Sequence, residues 1–252
     1  MKNILTILII LSVSTCVFSQ NRAIPDTIST EKGELIIQPI THGTLVLSWG
    51  DQTIYVDPYG GAERFQGLKD PTLILITDIH GDHLNQKTLN ALDTRRAQFV
   101  VPQAVKEKLP EEMKRRSVAI ENGQTIVFEE IEILAVPMYN LPETEDSRHP
   151  KGRGNGYVLS IGGKRIYVSG DTEDIPEMRN LQNIDVAFVC MNQPYTMSVD
   201  QAASAVIEFQ PSVVYPFHYR GKGGLSDIAS FKKKVEAAST STEVRLRDWY
   251  PQ

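Results

Sequence analysis

Asp78-Ile79-His80-Gly81-Asp82-His83 sets four groups able to ligate a metal within six residues, directly behind the apolar run Leu73-Ile74-Leu75-Ile76-Thr77. Imidazole and carboxylate together suit zinc, manganese or iron. A strand ending in such a loop delivers its side chains at a sheet edge, where a rigid layer holds them and solvent reaches them. The rival reading is a polar loop that caps a helix. Further candidate ligands in the same kind of setting weigh against it.

Asp171 follows the strand-like Arg165-Ile166-Tyr167-Val168-Ser169 through Gly170, a residue that lets the backbone turn sharply. It either bridges two cations or caps a helix starting near Ile175. His218 ends the apolar run Val213-Val214-Tyr215-Pro216-Phe217, and His149 sits in a Pro/Gly-rich loop from which it could enter the site or remain a plain loop histidine. His42 either lines the pocket or supports a ligand from behind. Asp57, ending Thr53-Ile54-Tyr55-Val56 before Pro58, could orient a ligand histidine by accepting its free ring N–H. Counting ligands gives Asp78, His80 and His149 to one cation, Asp82, His83 and His218 to the other, and Asp171 between them. Two divalent cations about 3.5–4 Å apart can hold a bridging hydroxide, which supplies the nucleophile of a hydrolysis. No Ser-His-Asp pattern competes, and Gly221-Lys222-Gly223-Gly224 lacks the strand-to-helix spacing of a phosphate loop.

The elements that must position these groups are visible as alternating β-branched runs and helical patterns. Val46-Leu47-Ser48-Trp49-Gly50-Asp51-Gln52-Thr53-Ile54-Tyr55-Val56 aligns without gaps with Val158–Val168, an offset of 112 residues. Each copy reads as strand, tight turn, strand. The same offset lays Leu73–Thr77 over Asp185–Val189 and Asp78 over Cys190. Two duplicated β-rich halves would bury their apolar faces against each other as a two-sheet sandwich. Helical patterns over about 85–93, 175–181, 199–209 and 225–238 would cover the outer faces, and the third carries Val199, Ala202, Ala203, Val206, Ile207 and Phe209 at helical spacing. The stretch Leu141–Gly154 has no apolar period and reads as a long functional loop.

Composition bounds the class. The chain has 252 residues, 41% of them hydrophobic, and 26 basic against 31 acidic residues give −5, which leaves no basic surplus for nucleic acid. Lys2, the apolar stretch Ile4–Val13 and the small residues ending at Ser19 read as a signal peptide over 1–19, implying a secreted or periplasmic protein. An apolar stretch of about ten residues falls short of the roughly 20 needed to span a bilayer. Cys16 offers a poor lipoprotein signal, and its removal would leave Cys190 alone. Residues 20–34 read as an N-terminal extension and 35–252 as one hydrolase domain.

Asp78-x-His80-x-Asp82-His83, Gly170-Asp171-Thr172 and the strand-end His218 together resemble the metallo-β-lactamase superfamily. Val136-Pro137-Met138-Tyr139-Asn140, His149-Pro150-Lys151-Gly152, Gly156-Tyr157-Val158 and Pro194-Tyr195-Thr196-Met197 look most like its branch of bacterial metal-dependent hydrolases related to ascorbate-phosphate lactonases. The resemblance implies an α+β four-layer αβ/βα sandwich with a binuclear site at one edge. The chain departs from the pattern twice. Asp78 stands where the motif begins with His, and Met138-Tyr139-Asn140 stands where another ligand histidine is usual, so His149 is the substitute.

The resulting expectation is a binuclear hydrolase in which a metal-bound hydroxide attacks an ester, lactone or phosphodiester of a small molecule. Two divalent cations are expected, zinc first, with manganese or iron as alternatives. Asp82 and Asp171 are expected to orient the water, and Tyr139, Asn140 and Tyr195 to line the pocket. The competing expectation is a periplasmic metal-binding protein whose first site is degraded and non-catalytic.

Overall fold

A computed structural model describes residues 22–144, 146–238 and 241–251; the signal-like segment 1–19 and Cys16 lie outside the described residues. The first sheet runs in chain order: β1 (Asp26–Thr30), β2 (Gly33–Thr41), β3 (Thr44–Trp49), β4 (Gln52–Val56), β5 (Leu73–Leu75), β6 (Gln98–Val101) and β7 (Ser117–Ala119). Between β5 and β7 lie the short helices α1 (Gln86–Ala91), α2 (Gln103–Lys108) and α3 (Glu111–Arg115). The chain continues through β8 (Thr125–Phe128), β9 (Ile131–Met138), β10 (Gly154–Ile161), β11 (Lys164–Val168), α4 (Pro176–Arg179), β12 (Val186–Cys190), α5 (Val199–Phe209) and β13 (Val213–Phe217). A small hairpin, β14 (Arg220–Gly221) and β15 (Gly224–Leu225), precedes α6 (Ile228–Ala237) and β16 (Glu243–Val244). The second sheet has the order β16-β13-β12-β11-β10-β9-β8.

Both sheets use one scheme. Three antiparallel pairings, β1·β2, β2·β3 and β3·β4, are followed by parallel β4·β5, β5·β6 and β6·β7; β8·β9, β9·β10 and β10·β11 are likewise antiparallel, and β11·β12, β12·β13 and β13·β16 parallel. Leu45 pairs with Val56 and Trp49 with Gln52; Tyr157 pairs with Val168 and Ile161 with Lys164, the same register 112 residues on. The offset then slips by one. Ile54 pairs with Leu73 while Ile166 pairs with Val186, so Leu73 corresponds to Val186 rather than Asp185, and Asp78 to Met191 rather than Cys190. One extra residue in the second β-to-β connection accounts for the shift.

Alternation along the strands builds the layers. Leu45, Leu47 and Ile54 share a buried cluster with Tyr157, Leu159 and Ile166 of the facing sheet and with α4, α5 and α6 residues such as Met178, Val206 and Phe231. Their neighbours Val46 and Tyr55 point the other way, onto Leu89, Val105 and Met113 of α1–α3. The result is a four-layer αβ/βα sandwich. Fully burying each such Leu or Val contributes about 1.5–3 kcal/mol.

Three local differences from the sequence reading have physical causes. Residues 26–30 are not outside the domain: Asp26-Thr27-Ile28-Ser29-Thr30 forms the edge strand on β2, and an edge strand whose covered side is only half-buried needs few apolar residues to announce it. Helices α2 and α3 carry no visible period because each is little more than one turn, set off by Pro102 and Pro110. The C-terminal helix starts at Ile228 rather than near Leu225, because Asp227 caps it by accepting from Ser230 N–H.

Candidate metal centre

The sheets meet the metal loop through two cross-links. Tyr157 is fully buried and its hydroxyl donates to Ile76 O at 2.8 Å, while Asn155 N–H donates to Thr77 O at 2.9 Å. The loop Asp78–His83 leaves β5 at that point. Asp171 leaves β11 through Gly170, whose φ of +61° and tight surroundings (Met138 Sδ 2.7 Å from where a Cβ would stand) admit no side chain. His218 leaves β13 with its ring edge against Gly43, where an added Cβ would stand 2.8 Å from Cδ2.

Three residues here hold left-handed backbone: His42 (φ 54°), Asp57 (φ 44°) and His218 (φ 46°). Such conformations cost about 1 kcal/mol or more for residues bearing a Cβ and persist where surrounding bonds over-determine them. His218 N–H donates to His42 O at 3.0 Å and His42 N–H to Trp249 O at 3.1 Å. Asp57 N–H donates to Leu75 O at 2.9 Å, and its carbonyl accepts from the Thr44 hydroxyl at 2.6 Å.

His83 is the centre of the arrangement. Its Nδ1 donates to Asp57 Oδ2 at 2.7 Å, a carboxylate also bonded by Thr77 N–H (2.8 Å) and the Thr77 hydroxyl (2.6 Å). That turns His83 Nε2 inward, 3.3 Å from His218 Nε2, 3.3 Å from Asp171 Oδ2 and 3.9 Å from Asp82 Oδ2, where a cation would take the place of its proton. His218 Nε2 lies 3.3 Å from Asp171 Oδ1 and 3.4 Å from Asp82 Oδ2. His149 Nε2 approaches Asp171 Oδ2 to 3.2 Å, its Nδ1 held at 3.0 Å by Asn140 Oδ1, which also accepts from the His149 backbone N–H. His80 stands edge-on to His149 at 5.1 Å between ring centroids, with Nδ1 2.7 Å from Asp78 Oδ2 but not aligned as a hydrogen bond.

Donor atoms on a tetrahedral cation with bonds of about 2.0–2.1 Å stand about 3.3–3.4 Å apart, close to the separations just given. His149 Nε2 and Asp171 Oδ1 are buried without a hydrogen-bond partner. Two ligand clusters, His83/Asp171/His218 and Asp78/His80/His149, bring one donor atom per residue within 4.8 Å of each other, and His42/Asp82/His218 forms a third that shares members. The donor set therefore fits divalent cations. Electrostatics agree. Burial would lower the His83 pKa, yet Asp171, Asp57 and Asp82 outweigh it and hold it well above the imidazole value. Burial would raise Asp82 and Asp171, but the surrounding histidines carry both well below the carboxylate range. The pocket of carboxylates calls for positive charge.

Asp78 lies in the cluster with His80 and His149 where it was expected, but it also has a protein partner. Both its oxygens accept from Arg153, Nε to Oδ1 and Nη2 to Oδ2 at 3.0 Å each, and its side chain is wholly buried. Burial would raise its pKa, but His80, His83 and Arg153 bring it down to about 2. His42 Nε2 lies 3.1 Å from Asp82 Oδ2 and Nδ1 2.7 Å from the Tyr250 hydroxyl, so this ring backs Asp82 rather than opening onto a pocket. Burial is the main reason its pKa falls.

The pocket assignments for Tyr139 and Asn140 need correction. Tyr139 is buried and its hydroxyl donates to Glu177 Oε2 at 2.9 Å. Asn140 spends its side chain on His149 and, through Nδ2, on Tyr195 O at 2.9 Å, so it positions a ligand candidate instead of meeting substrate. Tyr195 is half-buried, with the Arg148 guanidinium 4.4 Å over its ring. Arg153 and Tyr250 are site residues that the sequence does not single out. Nothing local marks them, since Arg153 meets Asp78 across 75 residues and Tyr250 meets His42 across 208. Cys190 is buried, donating weakly to Thr172 O at 3.4 Å, and burial, then Asp171, pushes its thiol up to about 11.

A sequence profile described as Beta-lactamase superfamily domain matches residues 37–218. A UPF0173 metal-dependent hydrolase of Pyrococcus abyssi is 30% identical over 197 residues, covering 74% of this chain and 86% of its own. Among solved structures, a Parabacteroides distasonis protein assigned as a metal-dependent hydrolase superposes with a TM-score of 0.79 at 37% identity, over 89% of this chain and 98% of that one. Igni18, a metallo hydrolase of Ignicoccus hospitalis, shares the fold with a TM-score of 0.70 at 24% identity, over 84% and 94% of the two chains.

Proposed function

The chain belongs to the metallo-β-lactamase superfamily as a metal-dependent hydrolase, and from that premise we propose that it holds two divalent cations and cleaves an ester, lactone or phosphodiester of a small molecule. The observation that carries the reading is the convergence of three histidine Nε2 atoms, from His83, His149 and His218, on the single carboxylate of Asp171. His83, Asp82 and His218 would hold one cation, His80 and His149 the other, and Asp171 would serve both. Cations so held polarise the scissile bond and make water acidic enough to attack near neutral pH.

The protein groups do the positioning. Asp57 fixes the His83 ring and its tautomer, and Asn140 does the same for His149. Asp82 is the most solvent-reachable of the three carboxylates at the centre, its side chain about a third exposed, and can accept a hydrogen bond from the attacking water. His149 and Arg153 come from one stretch of chain between β9 and β10, so the same connection delivers a ligand candidate and the partner of Asp78. Zinc suits this nitrogen-and-carboxylate set, and manganese or iron is compatible with it.

One observation favours a second reading with a single cation. Arg153 takes one lone pair of each Asp78 oxygen, which draws this carboxylate toward a structural role and leaves the first site leaning on His80, His149 and a shared Asp171. Metal-stripped protein reloaded with zinc, manganese or iron should hydrolyse nitrophenyl esters, a lactone or bis(nitrophenyl) phosphate, and Asp171→Ala should not. Absence of turnover on every substrate with every metal would leave the non-catalytic reading in its place.

We also retain a secreted or periplasmic location as a proposal resting on residues 1–19; no helix among the described residues is long and apolar enough to cross a membrane. Sequencing the N-terminus of protein recovered from the periplasm would test it.

A further inference from the structure

We propose that Tyr250, at the C-terminal end of the chain, is a positioning residue of the metal centre and acts through His42 on Asp82. The proposal rests on the reading of Asp82 as a metal ligand.

The hydrogen-bond chain has one arrangement in which every group finds a partner. Asp82 is ionised and can only accept, so the His42 Nε2 that lies 3.1 Å from it carries the proton. A neutral His42 then presents a bare Nδ1, and the Tyr250 hydroxyl 2.7 Å away donates to it. The hydroxyl oxygen in turn accepts the Arg220 backbone N–H at 3.0 Å. Tyr250 thereby selects the His42 tautomer that can hold Asp82. A ligand carboxylate held on one oxygen keeps its other lone pairs in a fixed direction.

Tyr250 is itself fixed in place. Its ring sits edge-on to Tyr219 at 4.9 Å and under the Arg220 guanidinium at 4.2 Å. The preceding Trp249 is fully buried and its carbonyl accepts the His42 N–H, so the same two-residue segment grips His42 by backbone and by side chain. His42 passes this on twice, through Asp82 and through its own carbonyl to His218 N–H. The strained backbone at both His42 and His218 is where such over-determination is needed. Tyr250 lies beyond the family match, which ends at residue 218, so this brace belongs to the part of the chain outside the matched motif.

The test is zinc affinity by competition with a chromophoric chelator, on the full chain and on Tyr250→Phe, His42→Ala, the double variant and Asp82→Asn. Tyr250→Phe keeps the ring packing and loses only the hydroxyl. The proposal expects its zinc affinity to fall about tenfold or more, in the range seen when groups behind metal ligands are removed, with little change in melting temperature. The double variant should lose no more than His42→Ala alone, because both act along one path. The cobalt-substituted protein should show an altered visible spectrum in Tyr250→Phe. Unchanged affinity in Tyr250→Phe, or additive losses in the double variant, would overturn the proposal provided Asp82→Asn binds weakly. Wild-type affinity in Asp82→Asn would instead overturn the ligand reading beneath it, and the proposal with it.

Discussion

Asp57 Oδ2 accepts the His83 Nδ1 proton at 2.7 Å with both side chains almost fully buried, and the same carboxylate takes two further hydrogen bonds from Thr77. Each carboxylate oxygen is therefore an acceptor with no room for a donor. Asp57→Asn must turn an NH2 group toward either the Thr77 N–H or the His83 ring N–H. We expect zinc affinity to fall about 10–100-fold and stability to fall by about 1–3 kcal/mol. Chelator competition and urea unfolding would check both, and a variant with wild-type affinity would show that the His83 ring is held by something else.

His149 reaches the site only because Asn140 turns it there. His149→Ala should cost one cation per chain while leaving the His83/Asp82/His218 cation bound. Asn140→Leu, which removes the acceptor at Nδ1 and leaves a loop backbone N–H unpaired, should weaken the same cation without abolishing it. Calorimetric titration of each variant with zinc separates the two sites, and two full-affinity sites in His149→Ala would exclude this residue as a ligand.

The Arg153–Asp78 pair is buried on the acid's side and one-fifth exposed on the base's. Removing the base leaves an unpaired charge inside the protein, which costs about 3 kcal/mol at the lower end for a buried pair. For a domain of this size that corresponds to a fall of about 6–12 °C in melting temperature. Arg153→Met should show it, and adding Asp78→Leu should restore much of the loss. No change in melting temperature for the single variant would mean Asp78 finds another partner.

At the opposite end of the chain, Asp26 receives the Tyr215 hydroxyl at 2.6 Å and lies within 3.2 Å of Arg245 and 2.5 Å of Arg247, tying β1 to the C-terminal tail. Burial would raise its pKa, but these partners carry it below the ordinary 3.8. A depressed folded-state pKa contributes stability that is present above 3.8 and is lost as pH falls below it. Asp26→Asn should therefore be less stable than the wild type at pH 7, and the gap should close below about pH 4. Urea midpoints at pH 7, 5 and 3 would check the sign, and a gap independent of pH would contradict it.

How much of this was legible in the sequence depends on how local each signal is. The hairpins of β3–β4 and β10–β11 declare themselves because alternation and a glycine turn fit within eleven residues. The strand that follows slips by one residue because no local pattern measures the length of a connection. Residues 78–83 stand out because four candidate ligands, two Asp and two His, crowd one loop. Tyr139 and Asn140 were legible as neighbours of the site but not in their roles, since burial and the partners Glu177 and His149 are matters of packing. Arg153 and Tyr250 were invisible for the same reason, as residues of common type whose partners lie far away in sequence.

Every role assigned at this centre depends on the constellation holding two cations. Elemental mass spectrometry on protein purified without chelator or metal-affinity resin, then reloaded and desalted, measures it directly. We expect about two equivalents of zinc, manganese or iron per chain, falling to one or fewer in Asp171→Ala. One equivalent or none in the wild type after reloading would contradict it.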